Sequence, residues 1–540
     1  MLRWISTNTS PEDPRAKPLI EWIERFAPQA LALVVVYVAV DRLAAAASRP
    51  FWNDEVITSV MARQPSVSTL WNALAQGADG QPPLYYLVER LFAGLISNQH
   101  IALRLPSIIA FCCTLVCVFL LVKRRSGSGH GLICAVVLLN TVLFDFYAVE
   151  ARPYSLAVAA IAFALLCYQR AAALSWSLLL CLSLALAVSL HYYAVFALAA
   201  FVLAEAVYCL VTRRCRARVW LAIACACLPM IAFWPLLSEE KKMYGAHTWA
   251  HPKLFLTLST YGSLFHVSTS VGLGFAVILA LSLIAMGRRT EMLERRAGLL
   301  RDTLLHEQAL VLGLLFMPLV AFVVLRLTHG ALLDRYLLWV ALAMTAILGY
   351  VLPTLRPESV LAVVVFLFIA VAAQGTPALY SLRGHIGRVV SPASSVEDLV
   401  SSAGFSDLPV VVSSNNDYVQ LSYYSSAEWA RRFVAIVDPP NAFAYLGTDN
   451  SDKELPVLAP YGPFRVYEFS VFIAAHPVFL MYSTSDGATA GPFGSYDWWV
   501  PRLVRDGYSL RVVAAQGNRR VYLVSPGAGA HEGNDRAGVN

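Results

Sequence analysis

Apolar residues run along this chain in long blocks rather than short periodic patches. Eleven stretches, 29–47, 105–122, 131–148, 154–169, 174–190, 193–211, 219–237, 269–287, 308–327, 332–351 and 359–377, carry few charges. Each approaches the ~20 residues with which a helix crosses ~30 Å of hydrocarbon. The pattern predicts a polytopic α-helical membrane protein with a transmembrane domain over 29–377. Residues 1–28 are polar and lack the short apolar core and small-residue cleavage site of a removable signal peptide, so they read as a cytoplasmic N-terminus.

Two segments depart from this pattern. Residues 48–104 are too long for a turn and too polar to span, and they contain amphipathic stretches at Val56–Arg63, Ser68–Ala75 and Leu84–Ile96 suited to an outer interface. Residues 380–528 mix strand-like runs (Leu408–Ser413, Phe433–Val437, Phe464–Phe469, Ser509–Ala515, Arg520–Val524) with helix-compatible ones, which predicts a small α/β domain. The remainder, 529–540, reads as a flexible tail.

Composition and charge sharpen this. Of 540 residues 58% are hydrophobic and only 14% charged, with a mean hydropathy of +0.59. That excludes a cytosolic enzyme, a disordered chain and a nucleic-acid binder. The ten cysteines lie in or beside apolar runs and read as small hydrophobes, not as a disulfide framework or zinc site. Alternate loops hold 18 Lys and Arg on one face against 9 on the other. The positive-inside rule then puts the N-terminus in the cytoplasm and, with an odd number of spans, the C-terminal domain outside.

The polar residues that could do chemistry gather on that outer face. Asp54 and Glu55 follow the first stretch. Asn53 or Asp54 would cap a helix there; alternatively one carboxylate is a general base that deprotonates an acceptor hydroxyl. Successive helical residues point ~100° apart, so the second carboxylate would orient the acceptor or hold a metal. Gly80-Gln81-Pro82-Pro83-Leu84-Tyr85-Tyr86 starts a short helix and offers Tyr85 as a sugar platform or interfacial anchor. Arg104 reads as an interfacial anchor. Asp145 to Tyr154 packs Glu150, Arg152 and Tyr154 together, with Arg152 suited to bidentate phosphate binding or to a structural ion pair. His191 lies in a tight outer turn, and Arg335 is a second phosphate clamp or an anchor. Glu55, Glu150, His247, His251 and His266 are candidate ligands for a divalent metal ion, the one cofactor considered, though their spacing matches no strong ligand pattern.

Trp52-Asn-Asp54-Glu55, Gln81-Pro-Pro-Leu-Tyr-Tyr86, Arg104-Leu-Pro-Ser107, Glu150-Ala-Arg-Pro-Tyr154 and Arg335-Tyr336, taken in order, resemble the GT-C superfamily of membrane glycosyltransferases. The likeness is nearest to the bacterial aminoarabinose–lipid A transferase and Rgt-type galacturonosyltransferase group, with protein O-mannosyltransferases more distant. It implies an inner-membrane enzyme of the cell envelope and of lipopolysaccharide-type acceptors. Such an enzyme takes a single sugar from a polyprenyl-phosphate donor and passes it to a lipid, glycan or protein outside the cytoplasm. The resemblance assigns the base to Asp54, and the donor phosphate and sugar to Arg152, Tyr154 and Arg335. Gln81 stands where many relatives carry histidine, which removes that side chain's proton or metal role. Two other classes share the polytopic pattern: a transporter or flippase with an extracytoplasmic domain, and a ligase or polymerase using a lipid-pyrophosphate glycan. Transporters tend to show internal repeats and midplane charges, and this sequence shows neither.

Overall fold

The computed structural model describes residues 17–266, 305–352, 391–484 and 498–527. The stretches 269–287 and 359–377 and the tail 529–540 lie outside the described residues. The first helix, Lys17–Ser48, begins well before the apolar stretch at 29. Its charged first turns have a partner: Glu24 accepts hydrogen bonds from the backbone amides of Ser128 (2.6 Å) and Gly129 (2.9 Å). A carboxylate from one helix thus satisfies free amides at the start of another, Ser128–Leu139. Gly127, at φ 103°, makes the turn into that helix from Leu105–Ser126.

Among the described residues four helices are long and apolar enough to cross a membrane: Glu21–Ser48, Gln99–Ser126, Tyr192–Thr212 and Leu305–Thr328. Two bent pairs bring the number to six if each is one span: Val142–Val149 with Tyr154–Tyr168, and Ala217–Ala232 with Trp234–Tyr244. The stretch 131–148 is itself interrupted at Asn140–Thr141, between Ser128–Leu139 and Val142–Phe146, and 219–237 is bent at Phe233. In the second, Pro229 and Pro235 occupy first turns of new helices, where a missing amide does no harm. On the Leu174–Leu190 helix, Leu174, Leu178, Leu182 and Leu186 recur every fourth position and are all exposed. Such a stripe is costly in water and natural in lipid, as befits a membrane protein.

The segment between the first two spans folds into four short helices, Asn53–Ala62, Val67–Ala75, Pro83–Leu95 and Gln99–Ala102. Three of them coincide with the stretches read as amphipathic. Their surroundings differ. Asn53–Ala62 is buried from Glu55 through Ala62, enclosed by protein on its sides, whereas Pro83–Leu95 leaves Leu91 and Leu95 exposed on one face.

The C-terminal region holds a six-stranded mixed sheet: β1 Val410–Val412, β2 Phe433–Val437, β3 Val466–Glu468, β4 Phe479–Ser483, β5 Tyr508–Gln516 and β6 Arg519–Pro526. The order is β3-β2-β1-β4-β6-β5. The first four strands pair in parallel, and β6 joins β4 and β5 antiparallel. Strand β4, absent from the sequence reading, is central and fully buried. One apolar cluster runs from Phe51, Val56, Val60 and Tyr86 into Val410, Tyr418, Leu455 and Phe464, so the short helices and the sheet domain share a core.

Gly127 supplies a test of the turn that carries Glu24. A Cβ there would meet Glu24 Oε1 at 2.8 Å, on a backbone that L-residues rarely adopt. Gly127→Ala is expected to destabilise the protein by about 1–3 kcal/mol, read as a lowered midpoint of thermal unfolding in detergent. An unchanged midpoint would show the turn to be unstrained.

Candidate active site

The Asn53–Ala62 helix starts with Trp52 as its N-cap, which places Asn53, Asp54 and Glu55 in its first turn. The cap itself is made neither by Asn53 nor by Asp54: Glu55 Oε2 reaches back to the Trp52 amide at 3.3 Å. Glu55 is fully buried. It forms a two-pronged pair with Arg104, Nε to Oε1 at 2.7 Å and Nη2 to Oε2 at 2.6 Å, and also accepts the Ala151 amide at 2.8 Å. Arg104 is equally sealed and gives its remaining hydrogens to the carbonyls of Ala46, Arg49 and Pro50. Arg104 is therefore an interior node, not the interfacial anchor expected from its position beside a span.

Asp54, one residue earlier, faces elsewhere. Its Oδ2 stands 3.8 Å from Arg152 Nε and 3.8 Å from Arg335 Nη2, and its side chain retains 18% exposure. Arg152 is held by Asp79, whose Oδ2 accepts from Nη1 at 2.9 Å. The Tyr86 hydroxyl donates to the same oxygen at 2.5 Å, and Asp79 Oδ1 takes the Gly80 amide at 2.7 Å. Burial works against the charge on Arg152, but Asp79 and Asp54 outweigh it and raise its pKa well above the usual arginine value. Around Arg335 lies an aromatic wall. The Tyr154 ring centroid is 4.9 Å from that of Tyr147, 5.3 Å from that of His191 and 6.2 Å from that of Tyr336. Nε of both arginines and the hydroxyl of Tyr154 are buried without a hydrogen-bond partner among the described residues.

The remaining sequence-predicted residues fall around this centre. Tyr85 is buried behind it, beside Glu89, another sealed carboxyl whose pKa burial raises well above the normal range. His191 Nδ1 meets Gln81 Oε1 at 3.3 Å, which joins the Gln-Pro-Pro turn to the aromatic wall. Burial first, and then Arg152, lowers the His191 pKa to about 3, so this imidazole is neutral. Glu150 is buried and spoken for by Arg49 and the Trp52 indole. Sequence reading missed Asp79, Glu240 and Glu454. Glu240 lies so close over Gly80 that a Cβ there would come within 2.5 Å of its carboxylate, which accounts for glycine in the turn. Glu454 comes from the Asn450–Leu458 helix of the sheet domain. Its carboxyl is pushed up to about 8, by burial first and then by Asp79 and Asp54. An acid beside a glycine in a Gly-Gln-Pro-Pro turn was a signal for Asp79; nothing local marked the other two.

The five candidate metal ligands are not brought together. Glu55 is taken up by Arg104, and Glu150 by Arg49 and Trp52. His247 hydrogen-bonds Asp449 at 2.8 Å and stacks on Phe443. His251 is half-buried, and His266 is exposed, with its carbonyl accepting the Val142 amide. Among the described residues no three His, Cys, Asp or Glu side chains converge in a way that could hold a metal ion. These residues do not fit a resident divalent ion.

Residues 80–238 match the family model described as dolichyl-phosphate-mannose-protein mannosyltransferase. Sequence comparison with curated proteins gives no match. Among solved structures, ArnT from Cupriavidus metallidurans in the apo state is 15% identical with a TM-score of 0.53, over 92% of this chain and 98% of that one. ArnT from the same organism bound to undecaprenyl phosphate gives 15% and 0.52, over 91% and 97%. The Archaeoglobus fulgidus oligosaccharyltransferase in complex with Zn and sulfate gives 14% and 0.42, over 83% and 67%. The chain thus shares the fold of ArnT along nearly the full length of both proteins, in line with the likeness of the sequence motifs.

Two outcomes test the site's construction. Arg104→Met strands the Glu55 carboxylate and is expected to cost about 3–5 kcal/mol, read by thermal unfolding, because a buried charge loses its partner. Loss of well under 1 kcal/mol would mean that the pair is not sealed. The Glu454 carboxyl, raised from 4.5 to about 8, favours the folded state at low pH, and this contribution is lost as pH rises through about 8. Glu454→Gln should therefore flatten the decline in unfolding midpoint between acid and alkaline buffer, and an unchanged profile would remove Glu454 as its source.

Proposed function

We propose that this chain is an integral membrane glycosyltransferase of the bacterial inner membrane. In this reading it moves one sugar from a polyprenyl-phosphate-linked donor to a lipid, glycan or protein hydroxyl on the periplasmic side, inverting the anomeric centre, with Asp54 as general base. The observation that carries the reading is Asp54 Oδ2 standing 3.8 Å from each of two guanidinium groups. At that distance neither contact is a hydrogen bond, so carboxylate and cations keep their capacity for substrate. The buried Nε groups and the Tyr154 hydroxyl are donors in want of an acceptor, which a phosphate supplies. A polyprenyl-phosphate donor is also supported by ArnT, a protein of the same fold, having been crystallised with undecaprenyl phosphate.

The chemistry is one displacement. The acceptor oxygen bonds to the anomeric carbon as the bond from that carbon to the phosphate oxygen breaks. The acceptor's proton passes to Asp54. The electron pair leaves with the polyprenyl phosphate, whose growing charge Arg152 and Arg335 stabilise. Attack opposite the leaving group inverts the sugar carbon. Asp79 and Tyr86 hold Arg152 in place, His191, Tyr154 and Tyr336 flank the donor phosphate, and Tyr85 packs behind them. Glu55 acts through Arg104 and the Ala151 amide as a positioning residue, and Glu150 does likewise through Trp52.

Initial rates with purified protein and a polyprenyl-phosphate sugar test this. Asp54→Asn should lower turnover by roughly 10²–10⁴-fold while folding normally, and undiminished turnover would refute the base assignment. Arg335→Ala should raise the donor KM by about tenfold or more. An unaltered donor dependence, or a preference for the pyrophosphate carrier, would refute the phosphate clamp.

A further inference from the structure

The sheet domain touches the chain immediately ahead of Asp54. Phe51 is fully buried, and both of its backbone groups are captured by side chains of one helix, Asn415–Tyr424. Its amide donates to the Tyr424 hydroxyl at 2.6 Å, and its carbonyl accepts from Gln420 Nε2 at 2.7 Å. The Tyr424 hydroxyl also meets His100 Nε2 at 2.7 Å, and the Phe51 ring lies on that imidazole with centroids 4.4 Å apart. Nearly two turns into the Asn53–Ala62 helix, Ser59 Oγ meets the neighbouring Tyr423 hydroxyl at 2.9 Å. Four contacts from one helix of the sheet domain thus fall on residues 51–59 and on His100, which packs beside them. A side chain that satisfies a buried backbone amide fixes that residue's conformation, because releasing it leaves an unmet donor in the interior.

We infer that Tyr424 and Gln420 are positioning residues for Asp54: the sheet domain acts as a fixed clamp that sets where the base helix begins. This rests on Asp54 being the base, and it differs from a mobile lid in requiring the contact to persist throughout turnover. From Phe51 the chain needs only Trp52 and Asn53 to reach Asp54, and Trp52 is itself held by its indole on Glu150. Slack at Phe51 therefore reaches Asp54 before it reaches Arg152 or Arg335, which have separate supports in Asp79 and in the Asp334–Val340 turn. The clamp should accordingly govern turnover and not donor binding.

The test uses the full-length protein in detergent or nanodiscs. In Tyr424→Phe and Gln420→Leu, hydrogen–deuterium exchange of the peptide containing Phe51 to Glu55 should quicken about tenfold or more, as local opening becomes easier. The kcat for sugar transfer should fall about tenfold, with donor KM within about twofold of wild type. Tyr424→His, which restores a polar ring atom near the Phe51 amide, should recover part of both effects. Unchanged exchange overturns the clamp. So does faster exchange with unchanged kcat, or a loss expressed in donor KM alone. Wild-type protein that transfers nothing from a polyprenyl-phosphate donor overturns the proposed function, and the exchange measurement still decides whether the segment is clamped.

Discussion

The fully buried Arg104–Glu55 pair fixes the geometry of everything around it. A guanidinium has five N–H donors, and taking it out of water is tolerable only when all five are met. Here they are: two go to Glu55 and three to the carbonyls of Ala46, Arg49 and Pro50. One side chain thereby ties the end of the first membrane helix, the start of the Asn53–Ala62 helix and the foot of its own Leu105–Ser126 helix. Glu55 extends the same node to the Ala151 amide, one residue from Arg152. The two halves of the proposed site, base and phosphate clamp, are thus referenced to a single ion pair.

What makes the arrangement useful is the contrast between neighbours. Glu55 has its lone pairs occupied and no exposure, while the Asp54 carboxylate has two cations near it and no hydrogen bond to either. A turn of ~100° between successive helical residues separates a structural carboxylate from the one proposed to react. Both gain from lying in the first turn of a helix, where unpaired amides favour negative charge. Asp79 repeats the division of labour on the other side: engaged itself, it holds Arg152 by Nη1 and leaves Nε, 3.8 Å from Asp54, without a hydrogen bond among the described residues.

The membrane class, the three amphipathic stretches of the first outer segment and the clustering of Asp54, Arg152 and Arg335 could all be read from the sequence. Those signals are local: apolar runs, helical periodicity, acids and arginines beside them. What escaped is non-local. Arg104 looked like an anchor because its burial depends on three carbonyls and a glutamate some fifty residues away. Glu240 and Glu454 approach the site from separate helices, and only the folded chain brings them near Asp79. Strand β4 is a short apolar run inside a hydrophobic chain, where periodicity carries no information, and it became visible only through its pairing with β1 and β6. The bends near Asn140 and at Pro229 and Pro235 were marked by ordinary breakers, but total hydropathy over each stretch concealed them.

A physical reason remains for building the site against a soluble domain at all. Irregular backbone and carboxylates are costly against lipid, so a site rich in both must be enclosed by protein or open to water. A ten-residue helix such as Asn53–Ala62 has too few turns to be stable alone in water. It needs burial on more than one side, and Arg104, Ala151 and Arg152 supply part of it. The apolar cluster running from Val56 and Val60 into Tyr418, Val410 and Leu455 supplies another part. The sheet domain is therefore part of what keeps Asn53–Ala62 helical and Asp54 in its first turn.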